Sequence, residues 1–226
     1  MQRPFCAGKQ SLVKCDKLNA ITANYSCQYS IVFLIAVAMC PYICVTFFKV
    51  YLVHHLSSIQ YMQVHKFGGA SLQNSAGFHL VAGIIQQQVP GTAILVISAM
   101  GKTTNALEQV AAAFFAQQQQ QALQLFEQVK HQHLTMAQHL LTVQYHACLA
   151  QLNDFFTEAS WLLYDTPVRD YGYYYDQLVS IGELMSSTLL SFFLKEKKIE
   201  NDWIDVRDML RTNNHFRAAS IDWEVT

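Results

Sequence analysis

Twice in this chain an extended or apolar run breaks at glycine and then turns helix-forming, and that repeated junction restricts the fold to alternating strands and helices. The first is Met62-Gln63-Val64-His65-Lys66-Phe67-Gly68-Gly69-Ala70-Ser71. A β-prone stretch runs into a lysine, two glycines, a small residue and a hydroxyl able to cap a following helix. Such turns hold phosphate, because backbone N–H groups meet the anion at a helix N-terminus and glycine lets it come close. Lys66 adds a point charge suited to phosphoryl oxygens. The same junction also arises for purely structural reasons, so alone it is a weak signal.

The second junction starts from Thr92-Ala93-Ile94-Leu95-Val96-Ile97-Ser98, a continuous β-branched run of the kind found in a strand buried on both faces. It opens into Ala99-Met100-Gly101-Lys102-Thr103-Thr104-Asn105 and then an Ala/Leu/Glu-rich helix. Gly101-Lys102-Thr103 looks like the tail of a Walker A loop. That motif requires glycine where Val96 stands inside the strand, which excludes a P-loop NTPase. The hydroxyls of Ser98, Thr103 and Thr104 gather at a strand's carboxyl end, where open α/β sheets bind ligands. One of Thr103 and Thr104 is expected to cap the helix.

A third segment, Asp176 to Ser187, carries Leu178, Ile181, Met185 and Leu189 at helical spacing, the mark of a core-facing helix. Glu183 is the exception within it. A lone helical glutamate is usually solvated, but this one borders Gly182, which would let a ligand approach.

Together these segments resemble the aspartate kinases (aspartokinases) of the amino-acid kinase family. Those enzymes open on Lys-Phe-Gly-Gly-Thr-Ser, matched by Lys66 to Ser71 with Ala70 in place of threonine. Ser98 to Asn105 matches their Ser-Ala-x-x-x-x-Thr-Asn loop, and Gly182 to Ser186 their Gly-Glu-Leu-(Met/Leu)-Ser segment. Trp203 to Arg207 and Arg211-Thr212-Asn213 match a Trp-x-Asp-(Ala/Val)-Arg strand and an Arg-Thr-(Asn/Asp) turn. The resemblance implies an α/β fold, a three-layer αβα sandwich with a mostly parallel sheet. It implies a cytoplasmic enzyme that transfers a phosphoryl group from ATP, with Mg²⁺, to the side-chain carboxylate of L-aspartate. The product, 4-phospho-L-aspartate, starts lysine, threonine and methionine biosynthesis. By the same resemblance Lys66 is catalytic and contacts ATP phosphates, Gly68, Gly69 and Ser71 form the phosphate-facing turn, and Ser98, Thr104 and Glu183 hold aspartate. No residue is assigned to a metal, and the full-length form is expected to be a homo-oligomer. Family members continue to a Gly-Arg-Gly-Gly-Ser-Asp loop and regulatory domains. That loop is not among these 226 residues, so the chain is expected to carry much of the aspartate site, only part of the ATP site, and no turnover alone. A bifunctional aspartokinase–homoserine dehydrogenase is a close variant of this reading.

Residues 1–61 differ in character from residues 62–226, which are expected to be the N-terminal portion of the kinase domain. Five of the six cysteines lie before Met62. No charged residue falls between Lys17 and Lys49, and residues 31–48 form an apolar run long enough to be a membrane-span candidate. Met62 stands where an aspartokinase would start, so residues 1–61 read as a mis-called start, with a hydrophobic anchor as the alternative. The anchor would make the protein a membrane-tethered, catalytically dead amino-acid-binding module. A cytosolic kinase gives the cysteines no reason to pair.

Elsewhere the sequence predicts a helix from Ser71 to Gln88 with Phe78, Val81, Ile84 and Ile85 inward. Two or three more are predicted between Thr103 and Asp165, broken near Gln117–Gln121 and around Ala150. The glutamines read as a solvated face. His131, His133, His139 and His146 do not converge on one helix face, so no metal site is assigned to them. Asp170 and the Tyr171–Tyr175 cluster either line the pocket or pack beneath it. A formal net charge of −1 and the lack of a basic stripe argue against nucleic acid.

Overall fold

The structure, a computed structural model, describes residues 62–226 except Pro90, together with the strand Ile31–Leu34 as backbone. Among the described residues, four strands form one sheet: β1 (Ile31–Leu34), β2 (Gln63–Phe67), β3 (Ala93–Ile97) and β4 (Asn201–Ile204), in the order β2-β3-β1-β4. Every ladder between them is parallel. Among the described residues, six α-helices accompany the sheet: α1 (Ser75–Gln88), α2 (Thr103–Phe115), α3 (Gln119–Leu140), α4 (Tyr145–Tyr164), α5 (Tyr171–Val179) and α6 (Ile181–Glu196). The result is the expected α/β architecture, with crossover helices between parallel strands.

β3 is the strand of the second junction. Ala93, Leu95 and Ile97 are fully buried, whereas Ile94 and Val96 are half-buried. One face is therefore sealed and the other only partly covered, short of the two-sided burial expected from its composition. The apolar run at 31–48 begins as β1; its remainder, residues 35–48, lies outside the described residues.

α6 organises the interior. Ile181 through Ser191 are all buried, so the helix has no solvent face over that length. Leu178, Ile181, Met185 and Leu189 are at most 1% exposed, as their spacing requires. By composition Tyr171–Glu196 would pass for a membrane span, but 89% of its most apolar window is buried within the protein. The segment is not one helix: it divides at Ser180, whose hydroxyl donates to the Gln177 carbonyl, a local bond of the sort that competes with the helical ladder.

Three boundaries differ from the sequence reading. Gly69–Leu72 is a 3₁₀ turn, and α1 starts only at Ser75, capped by Asn74, whose side chain accepts from the Gly77 N–H at 2.9 Å. Ser71 is not the cap: it lies inside the 3₁₀ turn, its N–H bonded to the Gly68 carbonyl, three residues ahead of the cap position. Asn74→Ala is accordingly expected to cost about 1 kcal/mol, read as a lower urea midpoint with an unchanged slope. Neither Thr103 nor Thr104 caps α2; Lys102 occupies that position without a side-chain bond. The helical region breaks at residues 141–144 rather than at Ala150, which lies inside α4. There Glu196 of α6 accepts from the Val143 and Gln144 N–H groups, capping α4 from a distance in sequence. At the far end of α4, Gln119 donates to the Leu163 and Tyr164 carbonyls.

Candidate active site

Two glycine loops meet at the carboxyl edge of the sheet. The Ser98 N–H donates to the Phe67 carbonyl at 3.1 Å, and the Gly101 N–H to the Gly69 carbonyl at 3.0 Å. The loops are so close that a Cβ on Gly69 would overlap the Ala99 carbonyl oxygen and lie 3.0 Å from that of Gly101. Gly101 has φ +56°, a left-handed conformation suited to glycine. Gly68 faces a different neighbour: its Cβ position is 3.6 Å from the Lys66 ammonium nitrogen. Lys66 itself is exposed, the penultimate residue of β2, and curls over the turn.

α6 enters from beneath. A Cβ on Gly182 would come within 3.0–3.3 Å of Ala99, Leu107 and Thr103 side-chain atoms, so its absence lets α6 press against the second loop and α2. The Ser186 hydroxyl donates to the Ser98 carbonyl at 2.8 Å. This contact carries Glu183 under the loops, where it is 1% exposed and Oε2 has no hydrogen-bond partner. Burial pushes its carboxyl up to about 7, opposed by N–H bonds from its own backbone and from Ala99 and by the positive charge of Lys66. A buried carboxylate with one unmatched oxygen beside an exposed lysine is a poor structural element and a good receptor for a cation.

The positions singled out in the sequence fall as follows. Lys66, Gly68, Gly69, Ser98 and Glu183 come together around the two loops through the contacts above. Thr104 is half-buried in the first turn of α2, one residue beyond the Thr103–Gly182 contact. Ser71 is exposed at the end of the first turn. The 3₁₀ geometry there removes the helix-dipole argument made from sequence, since a single turn carries little dipole; what remains is the glycine turn and Lys66.

A second buried carboxylate escaped the sequence reading. Asp176 in α5 accepts from the Arg217 N–H at 2.8 Å through Oδ2, while Oδ1 has no partner. Burial raises its carboxyl above the usual range. Arg217, at φ +63°, lays its guanidinium over the Tyr175 ring at 4.6 Å, and Tyr175 donates to Glu108 of α2. The tyrosine cluster thus anchors the 205–226 segment to α5 and α2. The signal was absent because Asp176 and Arg217 are 41 positions apart.

Residues 62–222 match the model of the amino acid kinase family. The chain belongs to that family. It is 47% identical over 47 residues to lysine-sensitive aspartokinase 3 of Escherichia coli (strain K12), covering 21% of this chain and 10% of that protein. Over a longer reach it is 30% identical across 162 residues to bifunctional aspartokinase/homoserine dehydrogenase 2 of the same organism, covering 70% of this chain and 19% of the relative. Among solved structures, E. coli aspartokinase III with lysine and aspartate superposes at a TM-score of 0.60 with 24% identity, showing the shared fold. The same enzyme with aspartate and ADP gives 0.57 at 25% identity, covering 72% of this chain. The chain is therefore an aspartokinase-like member of the amino acid kinase family. It spans 35% of those solved chains and 10% to 19% of these two curated relatives.

Proposed function

We propose that this domain binds L-aspartate and ATP and serves phosphoryl transfer from ATP to the aspartate side-chain carboxylate, forming 4-phospho-L-aspartate. The observation that carries the reading is Glu183, buried, with one oxygen unpartnered and beside Lys66. An α-ammonium group bound there would supply the missing hydrogen bond and restore the charged carboxylate. Ser98 and Thr104, at the rim of the same loops, are the further aspartate contacts. Lys66, Gly68, Gly69 and Ser71 take the nucleotide phosphates. The acceptor carboxylate is already ionised and needs no general base. The chain's contribution is then to position it and to stabilise charge on the transferring group, with Lys66 as the catalytic cation. Mg²⁺, a hard cation that takes oxygen ligands from substrate phosphates, would arrive on the nucleotide. The E. coli aspartokinase III structure with aspartate and ADP supports the same choice of ligands.

Titration calorimetry with L-aspartate across pH 5.5–8 tests this. Below about pH 7 binding must first strip a proton from Glu183, so affinity is expected to fall by up to about tenfold per pH unit and to level off above. Glu183→Gln should remove that dependence and weaken binding roughly 10- to 100-fold, the worth of one charge-assisted bond. Lys66→Ala should leave aspartate affinity within a few fold and weaken ADP. Aspartate affinity that ignores both pH and Glu183→Gln would remove the basis for the substrate.

A further inference from the structure

We infer that Ser186 is a positioning residue: it fixes the orientation of the Ser98–Ala99 peptide, and that peptide in turn holds the Glu183 carboxyl with one oxygen open to a ligand. What that oxygen receives rests on the substrate reading above; how it is held open does not.

The peptide unit between Ser98 and Ala99 offers one carbonyl and one N–H, and α6 engages both. The Ser186 hydroxyl donates to the Ser98 carbonyl at 2.8 Å. The Ala99 N–H, on the opposite side of the same planar unit, donates to the Glu183 carboxyl. Two residues one helical turn apart therefore clasp a single peptide from its two sides. A buried helical serine ordinarily returns its hydroxyl to its own helix, and the Gly182 and Glu183 carbonyls lie 3.0 and 3.2 Å away. The loop carbonyl is the nearest of the three acceptors.

Neighbouring contacts hold the peptide in the same pose. Before it, the Ser98 N–H is committed to the Phe67 carbonyl. After it, the Ala99 carbonyl oxygen packs where a side chain on Gly69 would stand. Beneath it, Gly182 lets α6 approach, since a Cβ there would lie 3.0 Å from the Ala99 methyl. Turned over, the peptide would point its carbonyl oxygen at the Glu183 carboxyl and leave the ionised form facing a like partial charge.

Held by the Ala99 N–H and by its own, the carboxyl keeps Oε2 unpartnered. Both N–H groups favour ionisation against the effect of burial. Of the charged groups on neighbouring elements, Lys66 of β2 acts on Glu183 in the same sense. Glu108 of α2 and Asp176 of α5 turn to other partners, the Tyr175 hydroxyl and the Arg217 N–H.

The Glu183 carboxyl carbon and Ala99 amide resonances, followed against pH on the ligand-free 226-residue protein, test the inference. In the parent the two are expected to titrate together, with one midpoint. Ser186→Ala should raise that midpoint by about one pH unit, the worth of one hydrogen bond withdrawn from the charged form. Ser187→Ala is the control. Its hydroxyl is equally buried but serves Leu184 and Trp203, so stability should fall while the midpoint stays put. If Ser186→Ala does not fold, the parent decides: an Ala99 amide that ignores the Glu183 titration would overturn the inference. So would a midpoint unmoved by Ser186→Ala, or moved as far by Ser187→Ala, either of which would leave Ser186 an ordinary packing residue. A midpoint that shifts as expected in a protein that takes up no aspartate would uphold the clasp and remove only the substrate.

Discussion

Gly69→Ala is expected to destabilise the domain by roughly 3 kcal/mol, from overpacking against backbone together with loss of inter-loop hydrogen bonds. The added methyl would overlap the Ala99 carbonyl oxygen and crowd that of Gly101. Neither is the tip of a flexible side chain, so relief requires the two glycine loops to part. Parting them breaks the bond from Gly101 to Gly69 and strains that from Ser98 to Phe67. For a chain of this size the melting temperature should drop by about 6–12 °C. Gly68→Ala provides the contrast. Its methyl would meet only the Lys66 ammonium, 3.6 Å away, so stability should change by less than about 1 kcal/mol. Because the methyl stands where a phosphate would approach, ADP affinity should still fall. Equal melting temperatures for the two variants would mean that the loops are not locked as described.

That contrast marks how far the sequence could be read. Both glycine junctions were legible, because a strand, glycine and a helix former in succession have few other uses. The inward face of α6 was legible from its 3.6-residue spacing. So was Glu183 as the residue out of place on it, although not the depth of its burial, which depends on Gly182 meeting Ala99, Leu107 and Thr103. What failed was local competition among equivalent polar residues. Ser71 and Asn74 can each cap a helix, and the choice fell to Asn74 because Ser71 is taken up in a 3₁₀ turn that delays the helix to Ser75. The break placed near Ala150 belongs to residues 141–144, where the capping group comes from Glu196, more than fifty positions away. Residues 31–34 show the same limit. An apolar run reads alike as a buried strand or as part of a membrane span until its hydrogen-bonding partners are known.

His133 was weighed in the sequence only as one of four histidines that do not converge on a helix face; in the fold it is wholly buried in α3, with Nε2 lacking a partner. Burial pulls it down to about 4 from 6.5, partly offset by its bond to the Val129 carbonyl. Glu183 is displaced the opposite way, from 4.5 up to about 7, and the two make opposed contributions to stability. The folded state holds the Glu183 proton more tightly than the unfolded chain does. Its contribution is therefore complete below pH 4.5 and is lost as pH rises through 7. The folded state resists protonation of His133, so that contribution is complete above pH 6.5 and is lost as pH falls through 4. Each shift corresponds to about 3 kcal/mol across its window, and between pH 4.5 and 6.5 the slopes oppose and largely cancel. Replacing one group should expose the other. Relative to the parent, Glu183→Gln should gain stability as pH rises through that interval, and His133→Leu should lose it, each by about 3 kcal/mol. Urea midpoints at half-unit steps from pH 4.5 to 7 measure both. Taking differences from the parent cancels groups common to all three proteins, including Asp176, whose raised carboxyl acts in the same direction as Glu183. A Glu183→Gln profile parallel to the parent's would place the carboxyl in water. It would then carry neither the pH dependence nor the cation-receptor role built on its burial.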